Sequence, residues 1–268
     1  MKICFVTLFI IALASCAFGQ SSDETFVDME PKIPEFLPEA RITNGRAVSI
    51  NDYPYQVGLN VNGGWCGGSL ISPTYILTAA HCVDGIGAGS IFAFLGSVIK
   101  QAGVRRTAKR TIVHPNWNRN SLLNDIALIQ IDAIGYTNTI RPVALPNIFN
   151  TYSTYIDNSV IATGWGKTSD SSSSGANYLQ GATLTVIDNN VCASTYGSHI
   201  NPSNVCVSTL GGISTCSGDS GGPLVLQSNK VLIGLTSFGA SAGCTAGLPS
   251  AFTRISSYRQ WIKDIAGV

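Results

Sequence analysis

The chain has 268 residues, 45% of them hydrophobic and 12% charged, with a formal net charge of +1. That balance hides two opposite segments: residues 20–41 hold six acids (Asp23, Glu24, Asp28, Glu30, Glu35, Glu39) against two bases, whereas residues 42–268 hold 13 bases against 9 acids and no Glu. So small a positive excess suits solubility and excludes a charge-driven nucleic-acid binder.

Residues 1–19 begin with Lys2, continue through an apolar run from Ile3 to Leu13 and close on Ala17-Phe18-Gly19, the plan of a secretory signal peptide. The run falls short of the roughly 20 apolar residues that span a bilayer, so export is expected and a membrane anchor is not. Residues 20–41 add Pro31, Pro34 and Pro38 to their acids, and such a segment cannot bury enough apolar surface to order itself. It reads as a propeptide ending at Arg41, ahead of Ile42-Thr43-Asn44-Gly45.

From Ile42 onward, short β-rich runs recur between turn signals, at residues 55–59, 68–71, 75–78, 91–95, 127–131, 160–164, 182–187, 223–226 and 230–237. Their spacing predicts antiparallel sandwiches or barrels. The one clear helical pattern runs from Ser257 to Ile265, where Tyr258, Trp261, Ile262 and Ile265 recur at helical steps. Arg105, Arg106, Lys109 and Arg110 read as a solvated strand face, and Ser171 to Ser174 with Gly175 as a solvated loop.

Three short segments carry chemistry: Thr78-Ala79-Ala80-His81-Cys82, Asn124-Asp125-Ile126-Ala127-Leu128 and Gly218-Asp219-Ser220-Gly221-Gly222-Pro223. A His, an Asp and a Ser are what acyl transfer through an activated hydroxyl requires. Asp125 leads into an apolar run, where an unpaired charge is costly to bury and a His partner removes the cost. Metal use fits poorly, because the three His residues, 81, 114 and 199, have no metal-ligand spacing. Of eight cysteines, Cys4 and Cys16 fall in the signal segment. The remaining six argue for disulfides in an exported chain, in any of fifteen pairings.

The three segments resemble those of the chymotrypsin/trypsin family of serine endopeptidases, a likeness that covers nearly everything from Ile42 to Val268. It implies a trypsin-like all-β fold, two six-stranded antiparallel β-barrels over about 42–147 and 148–268 with a C-terminal helix, the active site lying between the barrels. Ser220 would be the nucleophile, His81 the general base and Asp125 its orienting partner, with the N–H groups of Gly218 and Ser220 forming the oxyanion hole. Cleavage after Arg41 would free the Ile42 ammonium to pair with Asp219. The pairings implied are Cys66–Cys82, Cys192–Cys206 and Cys216–Cys244.

By the same resemblance, Ser214 stands six residues before the nucleophile, where trypsins carry an Asp for basic substrates. Gly239 leaves the pocket entrance open, Ser250 lies on its wall, and Ser237-Phe238-Gly239 forms the edge along which substrate pairs. A neutral floor disfavours Lys and Arg, so the expected P1 residues are Phe, Tyr, Leu and Met. The segments 237–244 and 247–252 resemble the arthropod brachyurins, a collagenolytic branch, which makes a broad collagenolytic or elastase-like peptidase the alternative within the enzyme class. A non-catalytic homologue acting as a binding protein is a further alternative, against which all three triad residues are retained. Trypsin-like relatives that bind Ca²⁺ do so through Glu side chains between the His and Asp segments, and residues 42–268 hold no Glu, so the resemblance implies no calcium site; no other metal or cofactor is expected. Expected partners are protein or peptide substrates, an activating trypsin-like protease and protein protease inhibitors, around a monomer in the extracellular space, with no nucleic acid and no membrane.

Overall fold

The computed structural model describes residues 42–148 and 153–268; the expected signal peptide, the propeptide and Arg41 lie outside the described residues. The strands are β1 (Arg46–Ala47), β2 (Gln56–Val61), β3 (Gly64–Ser72), β4 (Tyr75–Thr78), β5 (Ile91–Leu95), β6 (Val104–Thr107), β7 (Arg110–Val113), β8 (Ala127–Gln130), β9 (Ser159–Gly164), β10 (Gln180–Ile187), β11 (Asn204–Ser208), β12 (Pro223–Leu226), β13 (Leu232–Phe238) and β14 (Ser250–Arg254). The α-helices are α1 (Ala80–Val83), α2 (Asn189–Tyr196) and α3 (Arg259–Ala266).

The first sheet has the order β6-β5-β2-β3-β4-β8-β7, all antiparallel where paired. Its two end strands are halves of one bent strand. Ala108 and Lys109, between them, divide their N–H groups: Ala108 donates to Ile91 O at 3.0 Å and Lys109 to Gln130 O at 2.8 Å. The bend therefore hands the strand from β5 to β8, and the ring of six closes through the chain itself. A two-residue Asn62-Gly63 turn, with φ of 48° and 86°, sets the register of β2 against β3 from Val61↔Gly64 upward.

The second sheet runs β1-β10-β11-β14-β13-β12-β9 and closes through a β9–β10 ladder into a six-stranded barrel, with β1 as a short addition on β10. Residues 42–47 thus precede the first barrel in sequence yet belong to the second: Ile42 is fully buried in its core beside Val160, Leu184 and Phe252. Each barrel has its own core, the first including Val57, Leu59, Leu70, Ile76 and Ile129.

A third apolar cluster forms the seam. It joins Leu77, Ile126 and Leu128 of the first barrel to Ile161, Val225 and Leu235 of the second, and α3 seals it with Ile262, Trp261 and Ile265. The helix thus begins two residues later than its apolar pattern predicts, after a 3-10 turn at Ile255–Tyr258. At about 25 cal/mol per Å² of apolar surface, this burial holds the barrels in fixed register, which a site shared between them requires.

Candidate active site

His81 lies in the single turn of α1, directly after β4, and Asp125 directly before Ile126 and β8. β4 and β8 are paired from Tyr75↔Gln130 to Thr78↔Ala127, so the ladder delivers the two residues to the same end of the sheet. The Asp125 carboxylate, 1% exposed, then collects three donors. His81 N–H meets Oδ1 at 2.9 Å, His81 Nδ1 lies 2.8 Å from Oδ2, and Ser237 Oγ donates to Oδ2 at 2.6 Å. Since a carboxylate only accepts, the proton on this contact belongs to Nδ1, and in the neutral imidazole that tautomer leaves the Nε2 lone pair free.

Asn124 makes this approach possible. Its φ of 57° is left-handed, a conformation Asn tolerates better than most residues. Its side chain is tied on both sides, to Asn116 O at 2.7 Å and to the Tyr258 hydroxyl at 3.1 Å.

The Ser220 loop comes from the other barrel, and the small residues of its motif let it touch the His81 segment. Gly67 N–H donates to Ser220 O at 2.8 Å, and Cys82 Sγ lies 3.5 Å from the same oxygen. A Cβ on Gly221, whose φ is 75°, would stand 2.2 Å from Thr78 Oγ1, and one on Gly67 would meet Gly222 Cα at 2.8 Å. Gly218, with φ of 99°, turns the chain before Asp219. Among the described residues, the N–H groups of Gly218 and Ser220 donate to no protein acceptor, unlike those of Asp219, Gly221 and Gly222. Two backbone donors with no internal partner flank the hydroxyl, an arrangement able to stabilise a developing oxyanion.

The family model described as Trypsin matches residues 42–262. The chain belongs to the trypsin family. It is similar to Serine protease 1 of Drosophila melanogaster, 38% identical over 86% of this chain and 87% of that one. Collagenase of Hypoderma lineatum is 37% identical over 98% of both chains. The solved structure of HL collagenase superposes with a TM-score of 0.79 at 38% identity, covering 84% of this chain and 98% of that one. The trypsin-family chain is accordingly a serine endopeptidase, with arthropod relatives and protein substrates.

Beside Ser220 a cavity of about 210 Å³ opens, lined by Ser214, Ser250, Gly239 and Phe238 among others. Ser214 Oγ donates to Thr215 O at 2.8 Å, which leaves Ser250 Oγ as the donor to Ser214 Oγ at 3.0 Å. Both residues are 3% exposed, and among the described residues no charged side chain lines the cavity. A Cβ on Gly239 would meet Ser250 Oγ at 3.7 Å, an ordinary contact, so the open entrance reflects the missing side chain and not a special backbone. Phe238 is held edge-on by Tyr196, whose hydroxyl donates to Pro249 O.

Three disulfides brace the site: Cys66–Cys82 beside His81, Cys216–Cys244 across the cavity wall and Cys192–Cys206 beneath α2. Asp219 is 1% exposed and receives Gly166 N–H at 2.8 Å and Cys216 N–H at 3.0 Å. Burial pushes its carboxyl up to about 6 in spite of those donors and of Lys100 nearby. Thr43 bridges to Ser214, and Asn44 Nδ2 donates to Gly212 O at 3.2 Å, so the segment after Arg41 abuts residues 212–214 beside the cavity.

Sequence reasoning singled out the triad, the oxyanion glycine and the cavity serines. It missed Asn124, Gly67 and Tyr258, which position them. Ser237, expected on the substrate edge and in the pocket, lines the cavity, and its hydroxyl also donates to Asp125.

Proposed function

We propose that the chain is a secreted zymogen which, after cleavage at Arg41 by a trypsin-like protease, hydrolyses peptide bonds following large apolar residues. The observation that carries this reading is the neutral, hydrogen-bonded Ser214–Ser250 pair lining a cavity beside Ser220. A Phe, Tyr, Leu or Met side chain would leave no unpaired charge there, whereas Lys or Arg would be desolvated without a partner.

In this mechanism Ser220 attacks the scissile carbonyl as His81 Nε2 takes its proton, and the imidazolium that forms is stabilised by Asp125. The N–H groups of Gly218 and Ser220 receive the oxyanion; removing such a donor typically costs about 10²–10³ in rate. The protonated His81 then gives its proton to the leaving amine, and water repeats the sequence on the acyl enzyme. No metal or cofactor takes part. Activation supplies the counter-charge that buried Asp219 lacks: the new Ile42 ammonium pairs with it and sets the backbone from Gly218 to Ser220. The active species is an extracellular monomer open to protein protease inhibitors.

Peptides differing only at P1, assayed before and after limited cleavage, test this reading. Activity on Phe or Leu that needs the cut supports it, and a preference for Arg or Lys refutes it. A second reading, broad collagenolytic activity, is favoured by the likeness to the Hypoderma lineatum collagenase along nearly the full length of both chains. Cleavage of native collagen at a rate comparable with casein would select it.

A further inference from the structure

Part of the cavity wall has almost no support of its own. Residues 240–247 form turns that join no β-ladder. The backbone hydrogen bonds within the segment are Gly243 N–H to Ala240 O at 3.2 Å and Ala246 N–H to Gly243 O at 3.4 Å. Yet Gly243 and Cys244 line the cavity.

Among the described residues, two attachments hold Cys244 and Thr245 from outside the segment. One is the Cys216–Cys244 disulfide. The other is the Asp170 carboxylate: Oδ1 accepts Cys244 N–H at 2.6 Å, while Oδ2 accepts Thr245 N–H at 3.2 Å and the Thr245 hydroxyl. Gly243 is shaped to this contact, since its φ is 119° and a Cβ on it would stand 2.6 Å from Asp170 Oδ2.

Asp170 stands on the serine-rich loop, which is braced in turn. Ser169 Oγ and Ser172 Oγ are 2.8 Å apart, Thr168 Oγ1 lies 3.2 Å from Ser172 Oγ, and Lys167 N–H donates to Ser217 O at 2.8 Å. The Thr245 hydroxyl and Cys244 N–H hold the Asp170 carboxyl below the usual carboxylate range, so it remains an acceptor at neutral pH. Although Asp170 and the two sulfurs lie within 4.8 Å of one another, the sulfurs are joined in a disulfide and offer no thiolate to a metal. The cluster is a clamp.

We propose that Asp170 is a positioning residue for primary specificity, fixing Cys244 and Thr245 so that the serine-rich loop sets how firmly the cavity grips a large P1 side chain. The inference rests on the reading of this cavity as the P1 pocket. Asp170 does not line the cavity itself, and its effect passes through the backbone of the wall.

The test compares wild type with Asp170→Ala and Asp170→Asn, each cleaved at Arg41, on peptides with P1 Phe, Leu and Ala. Labelling of Ser220 by methanesulfonyl fluoride, which carries no P1 side chain, is measured alongside. Loss of a charge-assisted contact predicts a KM for the Phe peptide raised about tenfold in Asp170→Ala with kcat near wild type, and a much smaller change for Ala. Labelling should be unchanged. Asp170→Asn, which keeps one acceptor oxygen and the same shape, should fall between. An unchanged Phe-to-Ala ratio in both variants overturns the proposal, as does an equal loss on all peptides and in labelling. Failure of the pocket reading would show in wild type alone, as a preference for Arg or Lys, and would remove the proposal with it.

Discussion

Ser237 Oγ donates at 2.6 Å to Asp125 Oδ2, the carboxylate oxygen that also faces His81 Nδ1 at 2.8 Å. One barrel contributes the acid and the histidine, the other the hydroxyl that helps hold the acid, so the hydrogen-bond network that orients the imidazole spans the seam. Ser237→Ala should lower kcat by roughly threefold to tenfold with little change in KM, consistent with loss of one hydrogen bond to a charged group. Asp125→Asn should lower kcat about 10⁴-fold, because the amide favours the wrong imidazole tautomer. Steady-state kinetics on one apolar P1 peptide check both. Equal effects of the two changes would contradict the different roles given to these residues.

The glycine contacts predict which substitutions the fold rejects. At Gly221 an added Cβ meets Thr78 Oγ1 at 2.2 Å and the backbone is left-handed, so Gly221→Ala should cost about 1–3 kcal/mol and abolish activity. Denaturant unfolding in a Ser220→Ala background measures that cost without self-digestion.

Gly239 has room. Its added Cβ meets only Ser250 Oγ, at 3.7 Å, so Gly239→Val should fold normally while narrowing the entrance. The kcat/KM for Phe should fall about 10–200-fold relative to Ala, the range expected for small volume changes in an apolar pocket. A Phe-to-Ala ratio that does not move would show that the P1 side chain binds elsewhere.

Asp219 gives a pH dependence. Its folded pKa of about 6 lies above the ordinary carboxyl value of 3.8, so the folded chain binds this proton more tightly than the unfolded chain does. The contribution is fully present below about pH 4 and is lost as pH rises through 6, amounting to about 3 kcal/mol. Uncut Ser220→Ala protein should therefore lose stability over that interval, and the same protein with Asp219→Asn should lose less. Cleavage at Arg41 should flatten or reverse the slope, because an ammonium partner lowers the carboxyl pKa. Identical pH profiles with and without the Asp219 carboxyl would refute the assignment.

How much of this was readable in the chain depended on where each residue's partners lay. The strands at 75–78, 91–95 and 223–226 are those predicted, because each carries its apolar signal within itself. β11 and β14 were not foreseen. All five residues of β14 are buried, but three are polar and spend their polarity elsewhere: Ser250 on the cavity, Thr253 on Asp125 O, and Arg254 on the carbonyls of Pro202, Asn204 and Ser153. No alternation survives such a division. α2 was missed because only Cys192 in it is buried; it is held by its disulfide and by Asp188, which caps the Asn190 N–H at 2.7 Å.

The triad was legible because each member sits in a short motif whose neighbours have local tasks, such as the left-handed Asn124 and the small Gly221. Asp170 was not, since its partners lie 74 and 75 residues away and the serines around it read as a plain solvated loop. The Asn62-Gly63 turn was in plain view and could have fixed the β2–β3 register from the start.

The most direct test is a P1 scan with short fluorogenic peptides, on wild type and Ser220→Ala, before and after limited cleavage at Arg41. The account predicts hydrolysis after Phe, Tyr, Leu or Met that appears only on cleavage and is absent in Ser220→Ala. Strong hydrolysis after Arg or Lys, or activity that survives in Ser220→Ala, would contradict it.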